Sequence, residues 1–260
     1  MKIKQMFLSL IMTFLMLCSI FPISASAQKI DIDSYTVEEK SYIPEVTTDS
    51  IIYSEQENSL ARIPNAIPIT VTPRQNGTGV DVKVNNVGVD GLDSVTVTVK
   101  ATGYSNSKSL TSYVPALVGK NFAFDFPMIK CNTVYNVTIK VTDGGQSKTL
   151  YGQGSLTYSE TTLANANWNK GTFSSRAASM EYHFNKHGAE VSSNNIVSYL
   201  NKANSYRSEV ISNINKGIAS RFYTITTGTG TIPSRKYKNI SDKRFIILSN
   251  SGYSIFSFGR

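Results

Sequence analysis

The chain has 260 residues, a net charge of +8, two histidines, two cysteines and one tryptophan. That length accommodates one or two domains, and so few cysteines exclude a disulfide-stapled architecture. The excess charge is localised. Residues 165–260 carry 13 Lys and Arg against Glu181, Glu190, Glu209 and Asp242, while the remainder holds 13 basic and 14 acidic residues. A basic final third suits phosphate-rich or anionic partners, and it serves equally as a solubilising surface.

The N-terminus reads as a secretory signal. Lys2 and Lys4 precede an apolar run from Met6 to Ile20, and Ala25-Ser26-Ala27 supplies small residues for cleavage. The run is shorter than the roughly 20 residues a membrane span requires. The expectation is cleavage near Ala27, secretion, and no stable membrane insertion afterwards. The mature chain then keeps only Cys131, which reads as a packed strand-end residue rather than a nucleophile. From 28 to 65 the chain is acidic and without periodicity, and is read as a linker or arm.

From 66 to 159 the period is two. Ile67–Val71, Val80–Val84, Val95–Val99, Phe122–Phe126, Tyr135–Val141 and Lys148–Tyr151 alternate apolar and polar residues. Turn residues stand between them at Asn76-Gly77, Asp90-Gly91, Thr102-Gly103 and Asp143-Gly144-Gly145. Six or seven strands at this spacing predict an all-β sandwich of immunoglobulin or fibronectin-III type. Such a module serves as a spacer or an adhesion unit, and nothing in it has the residue types of a catalytic site.

After a polar junction at 160–173 the period becomes helical. Ser174 or Ser175 caps a predicted helix through Lys186, with Gly188 as its left-handed stop. Ala178 and Phe184 face inward in this reading, with Met180 and Tyr182 as further candidates. Ser193 caps a second helix built on Ile196, Val197, Leu200, Ala203, Val210, Ile211 and Ile214, ended by Gly217. Strands are predicted at Phe222–Thr226, Ser234–Lys238 and Phe245–Leu248, and Asn250-Ser251-Gly252 turns the chain into a return strand at Tyr253–Phe258. Residues 174–260 therefore form a small α+β domain, and the whole chain is multidomain.

Both histidines lie on the first of these helices. His183 and His187 are four residues apart, so a helix presents their imidazoles on one face with Lys186 between them in sequence. Imidazole titrates near neutrality and suits proton transfer. Arg235, Lys236 and Lys238 on a strand, and Ser257 near the end, supply the cationic and hydrogen-bonding groups that stabilise a phosphorane. These are the residue types that RNA cleavage without a metal requires. A metal site remains open as an alternative, since His-x3-His on a helix is a bidentate pair. Its shell would have to be completed by Glu181, Glu190 or Asp242. The histidines and Arg235 also have ordinary structural readings, as packed or solvated side chains. Tyr237, Tyr253 and Phe256 are of the ring type that stacks bases, or are simply sheet-core aromatics.

Tyr182-His183-Phe184-x-Lys186-His187-Gly188-x-Glu190-Val191, Tyr199-Leu200-x-Lys202-Ala203, Arg235-x-Tyr237 and the ending Ile255-Phe256-Ser257-Phe258-Gly259 together resemble a toxin pattern. It is found in the C-terminal domains of exported toxins of Gram-positive bacteria and of polymorphic toxins. These belong to the barnase/EndoU/colicin/RelE-like (BECR) ribonuclease superfamily. The resemblance covers about Ala177 to Arg260. It implies helices preceding a four-stranded antiparallel sheet, and a cofactor-free, metal-independent ribonuclease with RNA, tRNA among the candidates, as substrate. A ribonuclease made inside its own cell implies a cognate immunity protein as partner, or export before folding. By position, His183 and His187 match the helix histidines, Arg235 the strand arginine, and Ser257 the hydroxyl of the last strand. Lys186, Lys236, Lys238 and Tyr237 are placed as substrate contacts. The chain departs from the pattern at Asn239–Lys243, where relatives have a glycine-containing turn, so Lys236 or Lys238 can hold the arginine's role. The alternative is a non-enzymatic secreted or surface-associated protein whose basic domain binds anionic polymer.

Overall fold

The computed structural model describes residues 42–49, 69–85, 92–113, 120–228 and 230–260. The signal segment and the Asp90-Gly91 turn lie outside the described residues. Eight strands come first: β1 (Glu45–Asp49), β2 (Ile69–Pro73), β3 (Gly79–Val84), β4 (Ser94–Ala101), β5 (Lys108–Tyr113), β6 (Lys120–Asp125), β7 (Asn132–Asp143) and β8 (Gln146–Thr157). They form two antiparallel sheets, β2-β3-β6 and β1-β8-β7-β4-β5. Alternation decides which side chains meet between the sheets. Val95, Val97 and Val99 of β4 and Val137, Ile139 and Val141 of β7 are buried, as are Val71, Val80, Val82, Phe122 and Phe124 of the facing sheet. This is the antiparallel sandwich that the period-two segments predict.

Two strands were not visible as alternation. β1 falls inside the stretch read as an acidic arm, and pairs with β8 from Glu45↔Thr157 to Asp49↔Gln153. β5 has the sequence Lys-Ser-Leu-Thr-Ser-Tyr and is exposed along most of its length. As the edge strand beside β4, it needs only one buried residue, Ser112, so it carries no apolar stripe.

The second part has helices α1 (Glu160–Asn165), α2 (Arg176–His187) and α3 (Ile196–Asn215), then strands β9 (Tyr223–Thr227), β10 (Ser234–Asn239), β11 (Phe245–Ser249) and β12 (Ile255–Gly259). The four strands form one antiparallel sheet in the order β12-β11-β10-β9. The junction expected at 160–173 is thus structured. Glu160 at the start of α1 accepts hydrogen bonds from the backbone N–H groups of Arg176 and Ala177, satisfying orphan donors in the first turn of α2. Ser175 caps α2. Two expected boundaries differ. Asn195, not Ser193, caps α3 by accepting from the Ser198 N–H. Gly188 is right-handed and α2 runs on into a 3₁₀ turn, with Ser192 in the left-handed position.

α3 covers one face of the sheet. Tyr199 and Tyr206 pack on Phe258, and Tyr206 packs edge-on against Tyr223. The pairings Tyr237↔Ile246 and Ile246↔Phe258 place those side chains together under the helix. Trp168, fully buried, ties the former junction to the sheet through a bridge to Ile255.

The sandwich and the α+β part belong to one compact unit with a continuous buried core. The seam is specific. The backbone N–H of Ile196 donates to the carbonyl of Met128 at 2.8 Å. Gly77, in the β2–β3 turn at φ +74°, lies so close to α3 that a Cβ there would stand 2.6 Å from Val197 Cγ2. Gly77→Ala therefore combines left-handed backbone strain with a clash across the seam. It should cost about 1–3 kcal/mol and lower a single calorimetric transition shared by both parts. Two transitions, only one of them moved, would contradict a common core.

Candidate functional site

Helix α2 presents opposite faces to the two parts. Glu181 turns to the sandwich, where it accepts from the Cys131 N–H at 2.8 Å and pairs with Lys130 at 3.2 Å. His183, two residues on and about 200° round the helix, turns to the sheet. Its Nδ1 lies 3.1 Å from Ser257 Oγ on β12. His187, one turn later, shares that face: the two rings are nearly parallel, at 10°, with centroids 6.2 Å apart. Met180 and Phe184 pack inward, whereas Tyr182 is 47% exposed.

Each imidazole has its own partner. His187 Nδ1 is 2.9 Å from Glu190 Oε2. Glu190 is held below the usual carboxylate range, chiefly because it also accepts the backbone N–H of Arg260 and further by its contact with His187. The His187 ring meets Phe245 edge to face at 5.3 Å. The backbone of Gly259 approaches so closely that a Cβ would come within 2.8 Å of the imidazole and 2.9 Å of the Phe245 ring, so the expected ending fits only with glycine there. His183 sits among Trp168, Phe173 and Tyr182. Burial in this aromatic setting, helped by the nearby positive charges of His187 and Lys186, lowers its pKa from 6.5 to about 4.

Strand alternation sorts the remaining expected residues. Ser257 pairs with Ile247, and Ile247 with Lys236, so Lys236 shares the histidines' face. Its Nζ lies 4.1 Å over the Phe245 ring, which His187 also contacts. Lys238, exposed, follows on the same face two residues along β10. Lys186 is exposed and lies 5.8 Å over Tyr182. Arg235 and Tyr237 project from the opposite face. Arg235 adjoins the Tyr237 hydroxyl, and Tyr237 is buried against Tyr223, where it packs rather than stacks on a ligand. The fold therefore gathers His183, His187, Ser257 and Lys236, with Lys238 beyond, and sets Arg235 and Tyr237 apart from them.

A pocket of about 200 Å³ opens beside His183 and Ser257. A bulge shapes it. Between Ile247 and Leu248 the β11–β12 register shifts, leaving Phe256 as the extra residue on β12. Such a bulge re-aims side chains, and Phe256 and Ser257 both line the pocket, although neighbours in a regular strand would point to opposite faces.

Glu190 is the site residue that its sequence context underplayed. Its position three after His187 was the available signal, obscured by the expected helix stop at Gly188. Cys131 is buried and free, and its thiol is pushed up by burial and by the charges of Glu181 and Glu160. Among the described residues no three His, Cys, Asp or Glu side chains gather as a metal ion would require, and no helix is long and apolar enough to cross a membrane.

The depressed pKa of His183 carries a stability signature. As pH falls from 6.5 toward 4, the unfolded chain takes up this proton before the folded one does, so folding weakens. Relative to His183→Gln, the wild type should lose on the order of 3 kcal/mol between pH 7 and pH 4, read from urea unfolding at each pH. Parallel pH profiles for the two proteins would show that His183 is not held neutral.

No family model, curated protein or solved structure matches the chain.

Proposed function

We propose that the α+β part is a metal-independent endoribonuclease in which His183 and His187 act as base and acid, and that the chain is an exported bacterial toxin. The observation that carries this reading is the pair of parallel imidazoles with chemically different partners on one face of the sheet. Cleavage by the neighbouring 2′-hydroxyl requires one group to take its proton and another to protonate the departing 5′-oxygen.

Environment assigns the roles. His183, with a pKa of about 4, is neutral at pH 7. With its Nδ1–H donated to Ser257 Oγ, its Nε2 is left to take the 2′-hydroxyl proton. The 2′-oxygen attacks phosphorus, forming the fifth bond of the phosphorane. His187 acts in the imidazolium form, its charge balanced by Glu190, and its Nε2–H passes to the 5′-oxygen as the P–O5′ bond breaks. The products are a 2′,3′-cyclic phosphate and a 5′-hydroxyl. The Ser257 hydroxyl donates to a phosphoryl oxygen. Lys236, on the same face, balances the charge that grows on the phosphorane, with Lys238 and Lys186 drawing in the backbone. Arg235, on the far face, contributes no contact to this step. Secretion and an immunity partner belong to the same proposal. They rest on the signal-like N-terminus and the toxin resemblance.

The test uses the chain from residue 28 onward, because the seam with the sandwich makes the α+β part an unsuitable fragment. In EDTA it should cut single-stranded RNA, leaving cyclic phosphate ends. His183→Ala and His187→Ala should each lower kcat/KM by about 10²- to 10⁴-fold with unchanged circular dichroism. Lys236→Ala should impair cleavage and Arg235→Ala should leave it near wild type. A folded wild type that cuts no RNA, yet binds it in a salt-sensitive and histidine-independent way, would favour the anionic-polymer binding protein instead.

A further inference from the structure

We infer that the pocket beside His183 is a nucleobase subsite that takes the base on the 5′ side of the cleaved bond. This rests on the ribonuclease reading for its place in the reaction, but the pocket's own chemistry argues for a flat heterocycle. Two half-buried aromatic rings, Phe173 and Phe256, line it together with Ile232 and Ile247. Phe173 is braced by the rings of Tyr182 and His183, at 5.1 and 5.9 Å, and Phe256 is brought to the pocket by the bulge. Apolar, partly exposed rings beside a reactive group are the platform on which bases stack.

Hydroxyls and one cation supply polar partners for a base edge. Ser234 offers a hydroxyl, which both donates and accepts, Lys170 offers a cation at the rim, and Thr172, Ser179, Thr231 and Ser257 also line the pocket. No carboxylate lines the pocket, so an anionic sugar-phosphate can lie at its mouth without repulsion. At about 200 Å³ the space is smaller than the roughly 300–1,000 Å³ of sites for drug-sized ligands, which fits one ring system rather than two stacked bases. Its position fixes which base. His183 and Ser257 are part of the lining, whereas His187 is not. The group next to His183 in the proposed reaction is the 2′-hydroxyl, so the base in the pocket belongs to the nucleotide that bears it.

Two measurements test this separately from cleavage chemistry. Trp168 is the sole tryptophan. It lies 6.1 Å from the His183 ring and donates its indole N–H to the hydroxyl of Ser179, which lines the pocket. Its fluorescence should change saturably with nucleoside 3′-monophosphates. It should change far less with ribose 3-phosphate, and Phe173→Ala should weaken nucleotide binding by about 5- to 100-fold. In cleavage of oligonucleotides, removing the base 5′ of the cut should lower kcat/KM by a similar factor, and removing the 3′ base should matter little. Phe173→Ala should reproduce the loss on the intact substrate and add nothing on the abasic one.

The outcomes separate the two claims. Base-dependent binding that Phe173→Ala weakens, in a protein that cuts no RNA, would uphold the pocket and overturn the ribonuclease reading. Histidine-dependent cleavage indifferent to the 5′ base, or a fluorescence response equal for ribose 3-phosphate, would overturn the subsite and leave the ribonuclease standing.

Discussion

Helix α2 is held from two sides, and the rest of the site depends on that. Glu181 fastens one face to the backbone of Cys131 and to Lys130 in the sandwich, and His183 meets Ser257 of β12 from the other. Glu160 and Ser175 fix its first turn. A helix pinned at its start and on two faces has little freedom to roll, so the direction of both imidazoles is set by the whole fold rather than by local contacts. The β-sandwich is in this sense part of the site's framework. Its seam with α3 at Gly77, Met128 and Ile196 continues the same anchoring.

Two identical side chains on adjacent turns acquire different chemistry from what surrounds them. His183 loses water to Trp168, Phe173 and Tyr182 and is kept neutral. His187 is backed by a carboxylate that the end of β12 itself holds ionised. The sheet adds its own asymmetry. Alternation along β10 gives Lys236 to the histidines' face and Arg235 to the opposite one, and the β12 bulge turns Phe256 and Ser257 together toward the pocket. Two imidazoles in different settings, a cation and a hydroxyl thereby lie on one face of the sheet.

Much of the architecture was legible because its segments are strongly periodic. β4 and β7 alternate without interruption, and α3 repeats apolar residues at helical spacing, so the sandwich and the helix-then-sheet order followed directly. β1 and β5 were illegible for a physical reason: edge strands need bury few side chains, and these carry no alternating apolar stripe. The seam between the sandwich and the α+β part was also hidden, since a close approach such as Gly77 on Val197 leaves no periodic trace. At the site, the two histidines and Ser257 were readable from spacing and resemblance, whereas the face of Arg235 was not. A one-residue shift in strand register reverses every side chain, and sequence alone left β10 uncertain by that amount. Asn239, which caps the following turn by accepting from Ser241 and Asp242, takes the place of the glycine-containing turn and leaves the hairpin intact.

The claim on which the account turns is that burial among aromatic rings holds His183 neutral, with its Nδ1 on Ser257. A nitrogen-15 NMR titration of both histidines in the chain from residue 28 onward tests it most directly. The account predicts that His183 stays neutral as pH falls through 6.5 and protonates only near pH 4, with its Nδ1 engaged by Ser257. A His183 imidazole that protonates near 6.5 would contradict it.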